Sequence, residues 1–449
     1  MLELRKAIEF PEGKAGRYVS EKTMARAMQN RTRVAAVLAS MQVVNQCTGE
    51  VIPLEEVAAA SLSNPANRRK AMMARIRGVE EFTKAREEVA LFLTITCPSR
   101  MHARHFTGAA NPAYDGTSPR DAQAHLNRVW RLATRKLSNA GVGISGVRVV
   151  EPHHDACPHW HVLVFVRPED ASKVTAAIQA YALADSPDEP GADEHRFKVE
   201  HIDPKRGSAV GYVAKYVSKS IDGEGVDVDD ETGDTGADAA QRVVAWARAW
   251  GIRQFQFFGV PPITPTRELY RLKEFDAPSQ ALKAAHDATR SNNYGQWLHV
   301  VDAFEIAFKP VYVERDSARY PDEVTKGLRG LLGVAVDLEA GVEITTRVDE
   351  WRIEPRKSEA QSGDLSPPWT RFNNCAPIDF KGNFQTKGQT TLQGMELGDV
   401  GGGNRSAPHR APLPSAGRTD WRSERGEHMQ FAVARKNTAL TGQAGGVNA

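Results

Sequence analysis

The sequence predicts an α+β protein: an antiparallel sheet backed by helices, with an N-terminal helical region before it and a disordered C-terminal tail after it. Three observations carry this. Between Val89 and Ile221, strand-like and helix-like segments follow in the order β, α, β, β, α, β, α. The adjacent strands "SGVRVVEP" and "HWHVLVFV" are parted only by a short polar turn, which makes a hairpin and therefore an antiparallel pair. From Lys357 onward the chain is rich in Gly, Ser, Pro, Asn and Gln, a composition with too little apolar surface to form a core.

The elements follow in order. Residues 20–48 and 65–88 read as helices, joined by a linker that begins with "TGE". The second opens with Asn64 as a cap and Pro65 at the first helical position, where a missing N–H costs nothing. "VALFLTITC" (Val89–Cys97) is apolar and β-branched and is stopped by Pro98, so it reads as a buried strand. Ser118 and Pro119 start a helix that ends before Gly141, with Leu126, Trp130, Ala133 and Leu137 at helical spacing. After the hairpin come the helix "EDASKVTAAIQAYALA", the strand "RFKVEHID" and the helix "GSAVGYVAKYVSKSI". The acidic Asp222–Asp238 segment is a loop. It is not a calcium loop, because Thr232 stands where that motif needs glycine. A helix (Ala239–Trp250), the strand "RQFQFFG" and a mixed region to about Arg356 complete the fold. The expected domains are 1–88 (helical), 89–260 (the sheet domain), 261–356 (mixed α/β) and 357–449 (tail).

Composition narrows the class. With 449 residues, 41% hydrophobic and 25% charged, the bulk is globular. No run approaches the ~20 apolar residues that span a bilayer, and "MLELRKAIEF" lacks a signal-peptide core. A cytoplasmic protein without a membrane partner is expected. The four cysteines lie far apart with no C-x-x-C pair, so free thiols are expected. The net charge of +2 hides local basic clusters, at Arg68–Arg77 and Arg128–Lys136. Such clusters serve as phosphate contacts or as solvated helix faces.

Two motifs carry chemistry. Four of thirteen histidines fall between His153 and His161. On a strand, residues i and i+2 share a face, so His159 and His161 point the same way at the mouth of a strand that is apolar on both sides. That is a hydrogen-bonded pair or part of a divalent-metal site. Across the hairpin, Glu151 is placed to be a third ligand, whereas His153, His154 and Asp155 read as turn residues. In "GYVAKYVSKSID", Val210, Val213, Val217 and Ile221 form one apolar stripe, and Tyr212, Lys215, Tyr216 and Lys219 lie opposite. The two tyrosines stand one turn apart, and lysines nearby would favour a phenolate nucleophile.

These residues resemble a known family. "PHWHVLVF" resembles the His-hydrophobic-His motif of HUH endonucleases, "YVAKYVSK" the two-tyrosine motif of their rolling-circle initiators, and "LFLTITCPS" their first strand motif. "SLSNPANRR", "CPSRMH", "EPHHDACPHWH" and "WGIRQFQFFGVPP" resemble the bacteriophage replication gene A protein family, from about Arg17 to Arg271. The resemblance implies an HUH-type sheet and a nickase that opens one strand of origin DNA. Tyr212 and Tyr216 would be alternating nucleophiles forming 5′-phosphotyrosine bonds, with Lys215 and Lys219 as the motif's lysines. His159, His161 and Glu151 would hold Mg²⁺ or Mn²⁺. Arg68, Arg69, Arg128, Arg131, Arg135 and Arg253 are candidate DNA contacts. With no G-x-x-x-x-G-K-[ST] loop, a host helicase and a DNA polymerase are expected partners, in a bacterial cytoplasm and from a phage or prophage gene. Rival expectations are a relaxase or transposase-like nickase, and a non-catalytic DNA-binding protein with the same fold. A histidine-triad hydrolase is excluded because position 163 is Leu.

Overall fold

The computed structural model describes residues 17–105, 107–316, 324–334 and 341–356; the expected tail lies outside them. Helix α1 (Glu21–Ser40) leads into β1 (Met41–Asn45), β2 (Val51–Pro53), α2 (Leu54–Ala60) and α3 (Pro65–Lys84). Then come β3 (Val89–Ile95), α4 (Pro119–Asn139), β4 (Ser145–Pro152), β5 (Pro158–Val166), α5 (Ala171–Ala182), α6 (Ala192–His195), β6 (Phe197–His201), α7 (Ala209–Lys219), α8 (Gly236–Trp250) and β7 (Phe255–Phe258). The last part holds α9 (Thr264–Arg271), α10 (Gln280–Arg290), α11 (Tyr294–Ala303), β8 (Ala307–Asp316), β9 (Val324–Val334), β10 (Val342–Thr345) and β11 (Trp351–Pro355).

The expected antiparallel sheet is present, with strand order β6-β3-β5-β4-β7 and every neighbouring pair antiparallel. β5 is its middle strand, and all nine of its residues are buried. Alternation along β5 feeds two cores. Trp160, Val162, Val164 and Val166 pack with α4, α5 and α8 on one face. Leu163 and Phe165 pack with α3, α7, α10 and α11 on the other. The helix starts follow the capping logic: the side chains of Asn64, Ser118 and Ser208 accept from Ala66, Asp121 and Gly211 backbone N–H groups. Gly146 permits the close approach of β4 to β5, since a Cβ there would stand 1.9 Å from the Leu163 carbonyl oxygen.

Two expected boundaries are corrected. The helix expected over 20–48 ends at Ser40, because Met41–Asn45 is a strand with alternating burial, paired with β2 on one side and β11 on the other. The helix expected over 65–88 stops at Lys84. Among the described residues, Cys97 and Cys157 are buried free thiols and Cys47 is an exposed one. No helix among them is long and apolar enough to cross a membrane.

Candidate active centre

The β4–β5 hairpin sets Glu151 directly opposite His159. His159 Nε2 lies 3.0 Å from His161 Nε2, and the two ring planes are nearly perpendicular at 86°. Glu151 Oε2 lies 4.0 Å from His161 Nε2. Thr94 on β3 places its hydroxyl 3.2 Å from His161 Nδ1, which orients the ring and leaves Nε2 toward the pair. Ser220 donates to Glu151 at 3.4 Å. Glu151, His159 and His161 are 2%, 5% and 6% exposed, so the cluster is screened from water.

That burial sets the charges. It drives the His159 imidazole well below its usual range, and the charges of His153 and His161 add to the effect. Burial, with His153 and Lys219, lowers His161 to about 3. Both rings are therefore neutral at pH 7, the form that ligates metal. Burial pushes Glu151 up to about 7 despite the nearby Lys219 ammonium. A buried carboxyl that resists ionisation beside two neutral imidazoles is a donor set that a divalent cation would satisfy. The ligand atoms of all three lie within 4.8 Å of one another.

A second trio, His153, His159 and Glu231, meets the same distance limit. Its rings are stacked, with centroids 4.0 Å apart and planes at 29°, so their in-plane lone pairs run nearly side by side. Stacked rings are poorly arranged to share one ion through in-plane lone pairs, and the perpendicular His159–His161 pair, with its Nε2 atoms 3.0 Å apart, is the better donor pair. His153 packs on the face of the His159 ring. The expectation of an exposed turn is corrected: His154 is buried, and its backbone N–H donates to Glu231 at 2.6 Å. The His153 and His154 contacts overcome burial and hold Glu231 below the usual carboxylate range.

Helix α7 brings the tyrosines to the same face. Its valine stripe is buried as expected, with Val213 and Val217 at 0% exposure. The Tyr216 ring stacks on His161 with centroids 3.7 Å apart. Phe92 of β3 touches both tyrosines, with centroids 5.4 Å from Tyr216 and 6.2 Å from Tyr212. Burial and the charge of Glu151 raise Tyr216 above the usual phenol range. Lys215 is exposed and paired with Asp230. Lys219, opposite the valine stripe as expected, is buried between Asp229 at 2.8 Å and Glu151 at 3.7 Å. Burial opposes its charge, but those carboxylates raise its pKa.

The acidic loop supplies what local pattern did not reveal. α7 and α8 lie on opposite faces of the sheet, and their connection passes the β4–β5 turn, where Glu231 meets His153 and His154. There Asp229 becomes 2% exposed and accepts from Tyr18 Oη at 2.5 Å. Tyr18, fully buried with φ of 66°, sets its ring 5.3 Å from Lys219 Nζ. Phe92 alone carried a signal, as the aromatic residue of β3 that alternation turns toward the histidine face.

The expected arginine contacts divide. Arg68 and Arg69 are half-buried on α3, and Arg69 is bound by Asp222 at 2.9 Å. Arg253 is exposed just before β7. Arg128, Arg131 and Arg135 are exposed on α4, which covers the sheet face opposite the histidine pair, so the fold does not bring them to the centre.

Fold and site together define a protein with an antiparallel sheet whose adjacent strands β4 and β5 bring together one carboxylate and two histidines that could hold a cation, faced by a tyrosine pair. Residues 3–224 match the model of the bacteriophage replication gene A protein family, and the chain belongs to that family. It is 38% identical to the replication gene A protein of Escherichia phage 186 over 73% of this chain and 49% of that one. It is 36% identical to the probable replication protein P12 of Pseudoalteromonas phage PM2 over 75% and 52%, respectively. It is 33% identical to a probable replication endonuclease from a prophage-like region of Salmonella paratyphi A over 84% and 50%. The chain therefore spans about half the length of these curated relatives. No solved structure matches it.

Proposed function

We propose that this protein is a rolling-circle replication initiator: an endonuclease that nicks one strand of an origin and joins DNA through a 5′-phosphotyrosine. The carrying observation is the Tyr216 ring stacked 3.7 Å over His161, which sets a nucleophile against the Glu151–His159–His161 cluster. The family membership and the endonuclease names of relatives support the same conclusion.

Glu151, His159 and His161 would hold the ion, Mg²⁺ or Mn²⁺. Bound there, it would draw electron density from the scissile phosphate. The Tyr216 oxygen attacks phosphorus, the phenol proton leaves to solvent, and the bond to the 3′ oxygen breaks. That oxygen takes up a proton and becomes the free 3′ hydroxyl. The 5′ phosphate stays esterified to tyrosine, so the bond energy is kept for resealing without ATP. Tyr212, one turn away, is the second nucleophile. Lys219 sets positive charge beside Tyr216 and favours its phenolate, and Lys215 exchanges Asp230 for a phosphate. The product's 3′ end is the chemistry a host polymerase extends, with a host helicase unwinding ahead.

The test is adduct formation on single-stranded origin DNA with Mn²⁺. Tyr216→Phe should slow it by about a hundredfold or more, and the double Tyr212→Phe/Tyr216→Phe variant should abolish it. An adduct from the double variant would refute the assignment. His159→Ala/His161→Ala should remove the metal dependence.

A further inference from the structure

The edge of the sheet at β7 carries an unusual charge arrangement. Arg68 and Arg75 reach it from α3, Arg148 from β4, Arg248 from the end of α8, Arg253 from just before β7, and Arg267 from α9. The Arg75 guanidinium lies 3.8 Å from the Phe257 ring centroid and 5.4 Å from that of Tyr294. The Arg68 guanidinium lies 5.6 Å from the Phe255 ring centroid. Arg253 Nε donates to the Phe255 carbonyl at 3.1 Å. Arg148, only 4% exposed, lies over Trp160 on the other face of the sheet and is held by Asn127 at 3.0 Å, so it adds charge beneath the patch rather than a surface contact. Burial and neighbouring guanidinium charge lower Arg68 and Arg148. None of the six forms a salt bridge among the described residues, whereas Arg69 on the same helix is neutralised by Asp222.

Like charges gathered without carboxylates repel one another and weaken the folded state unless an anion joins them. The patch also has a fixed relation to the candidate centre. The Gln254 carbonyl accepts from Val150 N at 2.8 Å, its side chain donates to the Ser220 carbonyl at 3.2 Å, and Ser220 reaches Glu151. The patch therefore begins beside Glu151 and runs outward along β7, an edge strand whose outer side has no strand partner among the described residues.

We infer that this arginine cluster binds the sugar–phosphate backbone of the DNA flanking the scissile phosphate, in a sequence-independent way. The aromatic rings within it already have guanidinium groups over them, which points to phosphates rather than stacked bases as the ligand. This rests on the nicking function proposed above.

The test compares the full chain with a variant carrying Arg248→Gln, Arg253→Gln and Arg267→Gln, all exposed positions. Affinity for fluorescent single-stranded DNA with a long flank and with a minimal flank is measured by anisotropy over a range of salt concentrations. For the long-flank DNA, the variant should bind roughly tenfold or more weakly, with a salt slope shallower by about two to three. Scrambling the flank sequence should change neither value. The matching Arg→Lys variant should keep the wild-type slope, which separates charge from folding. An unchanged slope in the Gln variant, or a loss that depends on flank sequence, would overturn the inference. Adduct formation by the wild type is scored separately. If it binds long-flank DNA with the expected slope but forms no adduct, the tyrosine chemistry fails and the arginine surface stands.

Discussion

Glu151 is the residue whose ionisation couples most directly to the proposed metal. With its pKa pushed up to about 7, it is half protonated near neutrality, while both histidines are already neutral. Metal binding must displace that proton. Mn²⁺ affinity should therefore rise by about tenfold per pH unit below 7 and level off above it. Titration calorimetry checks this, and Glu151→Gln should bind more weakly with that pH dependence gone. Asp155 makes a different prediction. Burial would raise its carboxyl, but the His102 contact at 3.2 Å holds it at about 2, against an ordinary 3.8. A depressed acid stabilises the fold fully above its unfolded pKa, and that support is lost as pH falls through the folded one. Asp155→Asn should thus be less stable by about 2 kcal/mol at pH 5, with the gap closing toward pH 2 in denaturant melts. The shared face of His159 and His161 was legible from strand alternation, and the tyrosine spacing from helical period. Asp229, Glu231 and Tyr18 were not, because nothing local says that a polar loop or an N-terminal tyrosine will fold onto a site two hundred residues or one sheet-width away.

Helix α7 owes its position to its ends as much as to its valine stripe. Ser208 caps it, and Glu80 of α3 accepts from the Ala209 and Val210 N–H groups at 2.7 and 3.3 Å. A carboxylate at a helix N-terminus satisfies orphan donors and opposes the dipole. Glu80→Ala should cost about 1–2 kcal/mol in thermal melts and slow adduct formation by loosening the tyrosines. Most elements from β3 to β7 could be placed from sequence because each carries its own period and its own stop signal. β1 could not. "MQVVN" follows twenty helical residues without a breaker, and its strand state comes from pairing with Trp351–Pro355, far along the chain. Its one local clue was the buried alternation of Met41, Val43 and Asn45.

At the scale of the molecule, that pairing ties residue 41 to residue 355, so the described fold is closed on itself by a three-stranded sheet. A chain ending at residue 350 would leave β1 and β2 as a lone pair, which is marginal in water. It should become sensitive to limited proteolysis between residues 41 and 60, whereas a chain ending at residue 356 should resist. The loop between α7 and α8 has a consequence of another kind. With Asp229 on Lys219 and Asp230 on Lys215, the loop occupies the cations that a phosphate would use in the proposed reaction. Under the proposed nicking reaction, DNA would bind only the fraction of molecules whose loop has released them, and the measured affinity would be the intrinsic one scaled by that fraction. Salt would then act twice, with opposite signs: it would loosen the exposed Lys215–Asp230 pair and weaken the binding of the DNA phosphates that replace Asp230.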